Sequence, residues 1–250
     1  MRGWTWVVAL CLGVVTALPA LAEPGLGQKV YDPYVKNGVT EIEMRWAQLR
    51  GRLLSGETAG VFELEQGIND RLSLALIGEI ERHVGEATKL DSIGIEGVYY
   101  LGKVPGVGVD VGGYLEYEQR IHNESGIGEA KLLLAKTVGR FQGLLNLIAA
   151  KPFSDRPGEG DPTYGFAASA TWAITPQLRA GVQSFGNFGD DHGLGGRQPA
   201  YLGPSFNWEA RPSWLPAEIE VEAGYLFALG KAADYANGQV RFTVELEKRF

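Results

Sequence analysis

The chain has 250 residues, 45% of them hydrophobic, with 35 glycines, 12 prolines and one cysteine. Thirty acidic residues against 23 basic ones give a net charge of −7, which excludes a nucleic-acid-binding protein, because phosphates need a basic face. Beyond the N-terminal stretch no run of eighteen apolar residues occurs, so the body of the chain has no expected membrane helix.

Met1-Arg2 is a short positive start, Trp4 to Ala17 is an apolar run, and Ala20-Leu21-Ala22 is a small-x-small cleavage site. This pattern predicts a secretory signal peptide over residues 1–22, with Glu23 as the new N-terminus. The run is short for a membrane anchor and is broken by Pro19. Cys11 lies inside it without the small residues of a lipoprotein site, so lipidation is not expected. The exported chain then contains no cysteine and must be stabilised by strand pairing or a large core.

From Thr40 onward the chain divides into about twelve alternating segments separated by turn residues. TEIEMRWAQLR points Ile42, Met44 and Trp46 one way and Glu41, Glu43 and Arg45 the other. GVFELEQG sets Phe62 and Leu64 against Glu63 and Glu65. RLSLALIGEIER and SIGIEGVYYLG continue the alternation, and VGVDVGGYLEYEQ sets Leu115 and Tyr117 opposite Asp110, Glu116 and Glu118. In GIGEAKLLLAKTV and RFQGLLNLIAA, clustered leucines break the alternation and read equally as helix; strands are favoured because a helix would leave a gap in the pairing order. YGFAASATWAIT and LRAGVQSFG flank a tight turn, and AYLGPSFNWEA carries Pro204, which predicts a bulge or irregular pairing. AEIEVEAGYLFAL alternates cleanly. The last segment, VRFTVELEKRF, places Val240, Phe242, Val244, Leu246 and Phe250 on one face, interrupted by Lys248, with Arg241, Thr243, Glu245, Glu247 and Arg249 opposite.

A terminal strand that is apolar on one face, charged on the other and closed by an aromatic resembles the C-terminal signal of outer-membrane barrels. Phe250, Leu246, Val244 and Phe242 are then the residues that the barrel-assembly machinery reads. The expected fold is all-β: a transmembrane antiparallel up-and-down β-barrel over residues 40–250, apolar face to lipid and polar face to the lumen. The connections agree. GINDR, KVPG, GR and TPQ after even strands are tight, and RPSWLP is compact; KPFSDRPGEGDPT and GNFGDDHGLGGRQP after odd strands are long. Short periplasmic turns, longer extracellular loops and an even strand count leave both termini in the periplasm and no open edge in lipid. Residues 23–39 are either a periplasmic segment or a small plug within the lumen. The rival fold is a soluble periplasmic sandwich or lipocalin-like barrel. Trp46, Tyr99, Tyr117, Trp172 and Trp208 fit an interfacial aromatic girdle.

The GINDRLSLAL turn-and-strand unit and the AITPQLRAGV segment resemble the outer-membrane family called MetA-pathway of phenol degradation. The resemblance implies a barrel of about twelve strands and uptake of small compounds, aromatic ones among them. It brings no catalytic residues.

An acidic-apolar-acidic pattern recurs at residues 41–43, 63–65, 79–81, 218–220 and 245–247. In the expected topology the glutamates at 41, 43, 63, 65, 218, 220, 222, 245 and 247 form a lumen wall in the periplasmic half: Glu41, Glu43, Glu63, Glu65, Glu218, Glu220, Glu222, Glu245 and Glu247. Arg45, Arg241 and Arg249 share the wall as basic partners but are outnumbered. The wall is either a cation-attracting surface or a hydrated, salt-bridged lining. Of the three histidines, His83, His122 and His192, the last two sit in the groupings His122-Asn123-Glu124-Ser125 and Asp190-Asp191-His192, and neither matches a barrel-hydrolase motif. No catalytic residue, resident metal or cofactor is assigned. The expectation is an outer-membrane channel for small solutes, whose partners are membrane lipid, the assembly machinery and the solute. The alternatives are a structural or adhesion barrel with a closed lumen, and an outer-membrane hydrolase.

Overall fold

Twelve long strands run antiparallel in sequence order, and the first pairs with the last. The computed structural model describes residues 26–121, 125–154 and 160–249. The signal peptide, the grouping at His122, Asn123 and Glu124, and Phe250 lie outside the described residues. The strands are β1 (Val39–Arg50), β2 (Thr58–Gly67), β3 (Leu72–Arg82), β4 (Lys89–Val104), β5 (Val109–Arg120) and β6 (Gly126–Val138). They continue as β7 (Phe141–Pro152), β8 (Thr163–Ala173), β9 (Leu178–Asp190), β10 (Pro199–Ala210), β11 (Glu218–Gly230) and β12 (Gly238–Arg249). Gly193 and Leu194 fold back onto Asp190 and Gly189 as an extension of β9. Pairing of β1 with β12, from Val39↔Arg249 to Arg50↔Gly238, closes the barrel.

Closure removes the unpaired strand edge that lipid would not tolerate. The outer face is apolar: Ile42, Phe62, Leu64, Leu76, Ile95, Leu115, Leu202, Phe206 and Phe227 are all exposed. Tyr99, Tyr117, Trp172 and Trp208 also project outward, while Trp46 is half-buried among its neighbours on that face. The opposite face buries Glu43, Arg45, Glu63, Ser73, Glu96, Lys131, Asn146, Gln183 and Arg241. An apolar exterior around a polar interior is inverted relative to a soluble sandwich and matches a strand cylinder in lipid.

The leucine clusters of β6 and β7 are strands. Leu133 is buried in the lumen while its neighbour Leu132 faces out, so the run fills both faces of one strand. Pro204 causes no bulge. Its ladder to β9 is continuous, whereas the ladder to β11 skips Gly203 and Pro204 without changing register, because the ring nitrogen cannot donate. Register shifts occur instead at Glu79/Ile80, Tyr100/Gly102 and Tyr164/Gly165. β4 and β9 extend beyond the expected segments, to Lys89 and Asp190.

The start of β1, the end of β12 and the turns at 68–71, 105–108, 139–140, 174–177 and 211–217 lie at one end of the barrel. By loop asymmetry this is the periplasmic end. At the other end the β11–β12 connection carries a one-turn helix, α1 (Ala232–Tyr235). Ala232 and Ala236 turn inward and pack with Leu49, Ala167, Phe185, Tyr201 and Leu226, forming an apolar cap across the extracellular half of the β1 and β8–β12 side. Arg197 of the β9–β10 loop grips Asp234 of α1 with two bonds of 2.6 and 2.7 Å.

Candidate functional site

Residues 26–38, the plug, lie inside the lumen against side chains of the wall. Gly38 donates to the Gly67 carbonyl at 3.0 Å, and Gly67 has no room for a Cβ against the Lys36 carbonyl. From there the chain climbs through the barrel until Leu26 and Val30 pack under the apolar cap. Pro33 passes so near the wall that a Cβ on Gly112 would lie 2.8 Å from its Cβ.

Side chains of the wall hold the plug where ladder partners are missing. Asn146 of β7, fully buried, accepts the Tyr31 N–H and donates to the Tyr31 carbonyl, both at 2.8 Å. One carboxamide thus serves both backbone groups of a residue that pairs with no strand. The Tyr31 hydroxyl donates to Glu96 Oε2 at 3.0 Å and accepts from Arg45 Nη1 at 3.1 Å. Lys131 Nζ lies 4.3 Å from the Tyr31 ring centre and 3.9 Å from that of Tyr114. Nearer the periplasm, the Tyr34 hydroxyl donates to Asp110 at 3.0 Å and Lys36 pairs with Glu247; on the extracellular side of Tyr31, Arg241 donates to the Gln28 carbonyl.

The sheet register arranges the glutamates in rows. One row reads Glu218↔Glu247↔Glu41↔Glu65 across β11, β12, β1 and β2. It passes over the small Ala75 and continues Glu96↔Glu116↔Glu129 across β4, β5 and β6. Each row runs perpendicular to strands that are themselves tilted, so it winds up the wall. Glu218 begins β11 at the periplasmic end, and Glu129 lies near the extracellular start of β6. A second row, Glu209↔Glu220↔Glu245↔Glu43↔Glu63, lies alongside.

All nine glutamates expected on the wall therefore face the lumen, but they are not confined to its periplasmic half. Glu43, Glu63 and Glu222 reach mid-barrel, and the row extends through Glu96, Glu116 and Glu129, which the acidic-apolar-acidic pattern does not single out. Arg45 and Arg241 are buried on this wall as expected. Arg249 is not a buried partner: it lies exposed at the end of β12, opposite Val39.

Like charges directly opposed across a ladder repel unless compensated. Arg45 reaches Glu43 and Glu63 at 3.1 Å, and Lys131 reaches Glu129 at 2.8 Å. The plug adds the remaining central cation. Lys29 Nζ lies 3.2 Å from Glu43, 3.3 Å from Glu63 and 3.8 Å from Glu41. Lys29, Tyr31 and Asn146 carry the plug contact, and no periodic signal marks them because a segment without strand or helix period has none.

The facing wall is different. Inward positions of β8–β10 include Ala167, Ser169, Thr171, Gly181, Gln183, Gly203 and Ser205. A cavity of about 390 Å³ lies between this small, neutral surface and the plug, and reaches the periplasmic rim at Arg179, Glu209 and Glu247. Its other side is lined by Glu41, Glu43, Glu65, Glu220, Glu222 and Glu245.

Outside the lumen, His192 Nε2 lies 2.9 Å from Asp161 and 3.7 Å from Asp191, joining the β7–β8 and β9–β10 loops. The group is exposed, and the Asp161 carboxylate holds the imidazole above its usual pKa.

No family model and no curated protein matches the chain. Solved structures do. The COG4313 outer membrane channel from Pseudomonas putida F1 superposes with a TM-score of 0.58 at 11% identity, over 91% of this chain and 99% of that one. The NanC porin gives 0.53 at 9% identity, over 84% and 100%. The KdgM porin, solved with disordered oligogalacturonate, gives 0.52 at 13% identity, over 84% and 99%. At these identities the likeness is one of architecture: the protein is a closed twelve-stranded β-barrel of the bacterial outer-membrane type.

Proposed function

We propose that this protein is an outer-membrane channel for small cationic solutes, closed in the present state by its own N-terminal segment. The observation that carries the reading is the glutamate row from Glu218 to Glu129, interrupted at Ala75, which joins the periplasmic rim to the extracellular half of the lumen. Rings of carboxylates in a narrow polar lumen favour cations over anions. The carboxylate lining favours a cationic solute, a charge that the resemblance to a family taking up small compounds does not specify. The cavity against β8–β10 gives room on the periplasmic side, and the plug at Lys29–Tyr31 interrupts the path. A channel opens when the plug moves, and a plug fastened by ion pairs and a few hydrogen bonds is able to move without unpairing a strand.

A closed structural barrel is the second reading, favoured by the apolar cap around Leu49, Phe185 and Leu226. Planar-bilayer recording separates the two. Deletion of residues 26–36 is expected to raise conductance several-fold while the barrel stays heat-modifiable on a denaturing gel. A folded deletion variant that conducts no better than the full protein rejects the channel.

A further inference from the structure

Lys29 offers a clue to what the lumen accepts. Its ammonium is held by three carboxylates, Glu43 at 3.2 Å, Glu63 at 3.3 Å and Glu41 at 3.8 Å, with the Tyr31 ring centre 4.7 Å away. Carboxylates around an aromatic face are the chemistry by which proteins bind organic ammonium ions. These acids come from the rigid wall, two on β1 and one on β2, whereas the cation comes from the plug.

The site is also larger than its occupant. Glu63 belongs to a second group, with Glu65 and Glu96, whose carboxylate oxygens lie within 4.8 Å of one another. Glu96 is only 4% exposed; its Oε2 accepts the hydroxyls of Tyr31 and Tyr114, but its Oε1 is buried without a hydrogen-bond partner. A buried carboxylate oxygen left unpaired is expensive, and beside a site already holding one ammonium it marks capacity for further donors. The register explains the approach: Glu65 and Glu96 flank Ala75, whose methyl leaves the space between them open.

We propose that Glu41, Glu43 and Glu63, with Glu65 and Glu96 beside them, form a binding site for primary alkylammonium solutes, and that Lys29 is a tethered occupant with which such solutes compete. The inference rests on the channel reading and names its solute class: small amines with a protonated terminal nitrogen. A solute ammonium entering from the periplasmic cavity meets Glu41, Glu43 and Glu65, which line both cavity and site. As it displaces Lys29, it releases the central ion pairs of the plug. No covalent step is involved; one cation replaces another on the same carboxylates.

The test removes the tether and supplies the ligand from solution. Lys29→Ala lacks three carbons and the ammonium, so propylammonium replaces the missing atoms. Calorimetric titration of the folded variant in detergent is expected to show saturable binding of propylammonium and none of 1-propanol. Adding Glu43→Gln to that background is expected to weaken binding about tenfold or more, the effect of losing a charge-assisted contact. Equal binding of amine and alcohol, or indifference to Glu43→Gln, overturns the proposal. If Lys29→Ala fails to fold, Lys29→Ser, which leaves nearly the same space, takes the same titration. Wild-type protein gives an independent readout, because propylammonium on the periplasmic side is expected to raise open probability and 1-propanol is not. A wild-type channel that opens spontaneously but ignores the amine sinks the amine site and leaves the channel reading standing. Loss of conductance in the plug deletion sinks the channel reading instead.

Discussion

The two sides of the lumen are built on opposite principles. From β11 through β12 and β1 to β2, and again from β4 to β6, inward positions carry glutamates opposed to one another, with arginines and lysines set among them. Between the cap residues Phe185 and Tyr201 and the rim residues Arg179 and Glu209, the inward positions of β8 to β10 are mostly serine, threonine and glycine, with Gln183 among them. The plug is pinned by cations to the first wall, and the cavity lies against the second. Repulsion along a carboxylate row is relieved when a cation lies between its members, so the acidic wall creates its own demand for the lysines of the plug. The neutral wall makes no such demand, and its short side chains leave the adjoining volume unfilled. Charge therefore decides where the plug sits, and side-chain size decides where a solute fits.

The comparison breaks most readily at Asn146, which belongs to neither set. Asn146→Leu leaves the N–H and carbonyl of Tyr31 unsatisfied in a buried place, at a cost of about 2–4 kcal/mol. Faster hydrogen exchange at the Tyr31 amide and a higher open probability are expected. Ser169→Ala on the neutral wall is expected to change stability by no more than about 0.5 kcal/mol. If both variants behave alike in exchange and conductance, the clamp does not hold the plug.

The neutral wall is sharpened by filling it. Ser205→Trp projects a large ring into the 390 Å³ cavity and is expected to lower the conductance of the plug-deleted barrel by half or more. An unchanged single-channel current places the path elsewhere. The smallest effect belongs to the outer loops. Because Asp161 raises the pKa of His192, the contact is complete below the ordinary histidine pKa and is lost as pH rises through the raised one. Spin labels on the β7–β8 and β9–β10 loops should therefore gain mobility with rising pH, and Asp161→Asn should abolish the dependence. Mobility independent of pH in the wild type removes the clamp.

Much of the barrel is legible in the sequence because each strand carries its own evidence. Alternation tells Ile42 from Glu43 with no knowledge of the neighbouring strand, and the length of each connection assigns its end. The nine wall glutamates follow from that alternation together with sequential pairing. Their extension to Glu96, Glu116 and Glu129 depends on register across three further strands, including the shift at Glu79/Ile80, and a single-residue slip would turn those side chains to lipid. The plug is illegible for another reason. Lys29, Tyr31 and Lys36 gain their meaning from distant partners, Glu43, Asn146 and Glu247, at separations no local pattern encodes. Arg249 shows the converse error, since correct parity on the strand placed it on the wall, but its position beyond the rim leaves it in water.

The central claim is that the glutamate row sets what the open barrel conducts. The direct measurement is the reversal potential across a KCl gradient for the barrel lacking residues 26–36, with the row intact and with Glu41, Glu65, Glu96, Glu116 and Glu245 changed to glutamine. The account predicts clear cation preference in the first and a shift toward no preference in the second. A barrel that shows no cation preference, or keeps the same preference after the five substitutions, contradicts it.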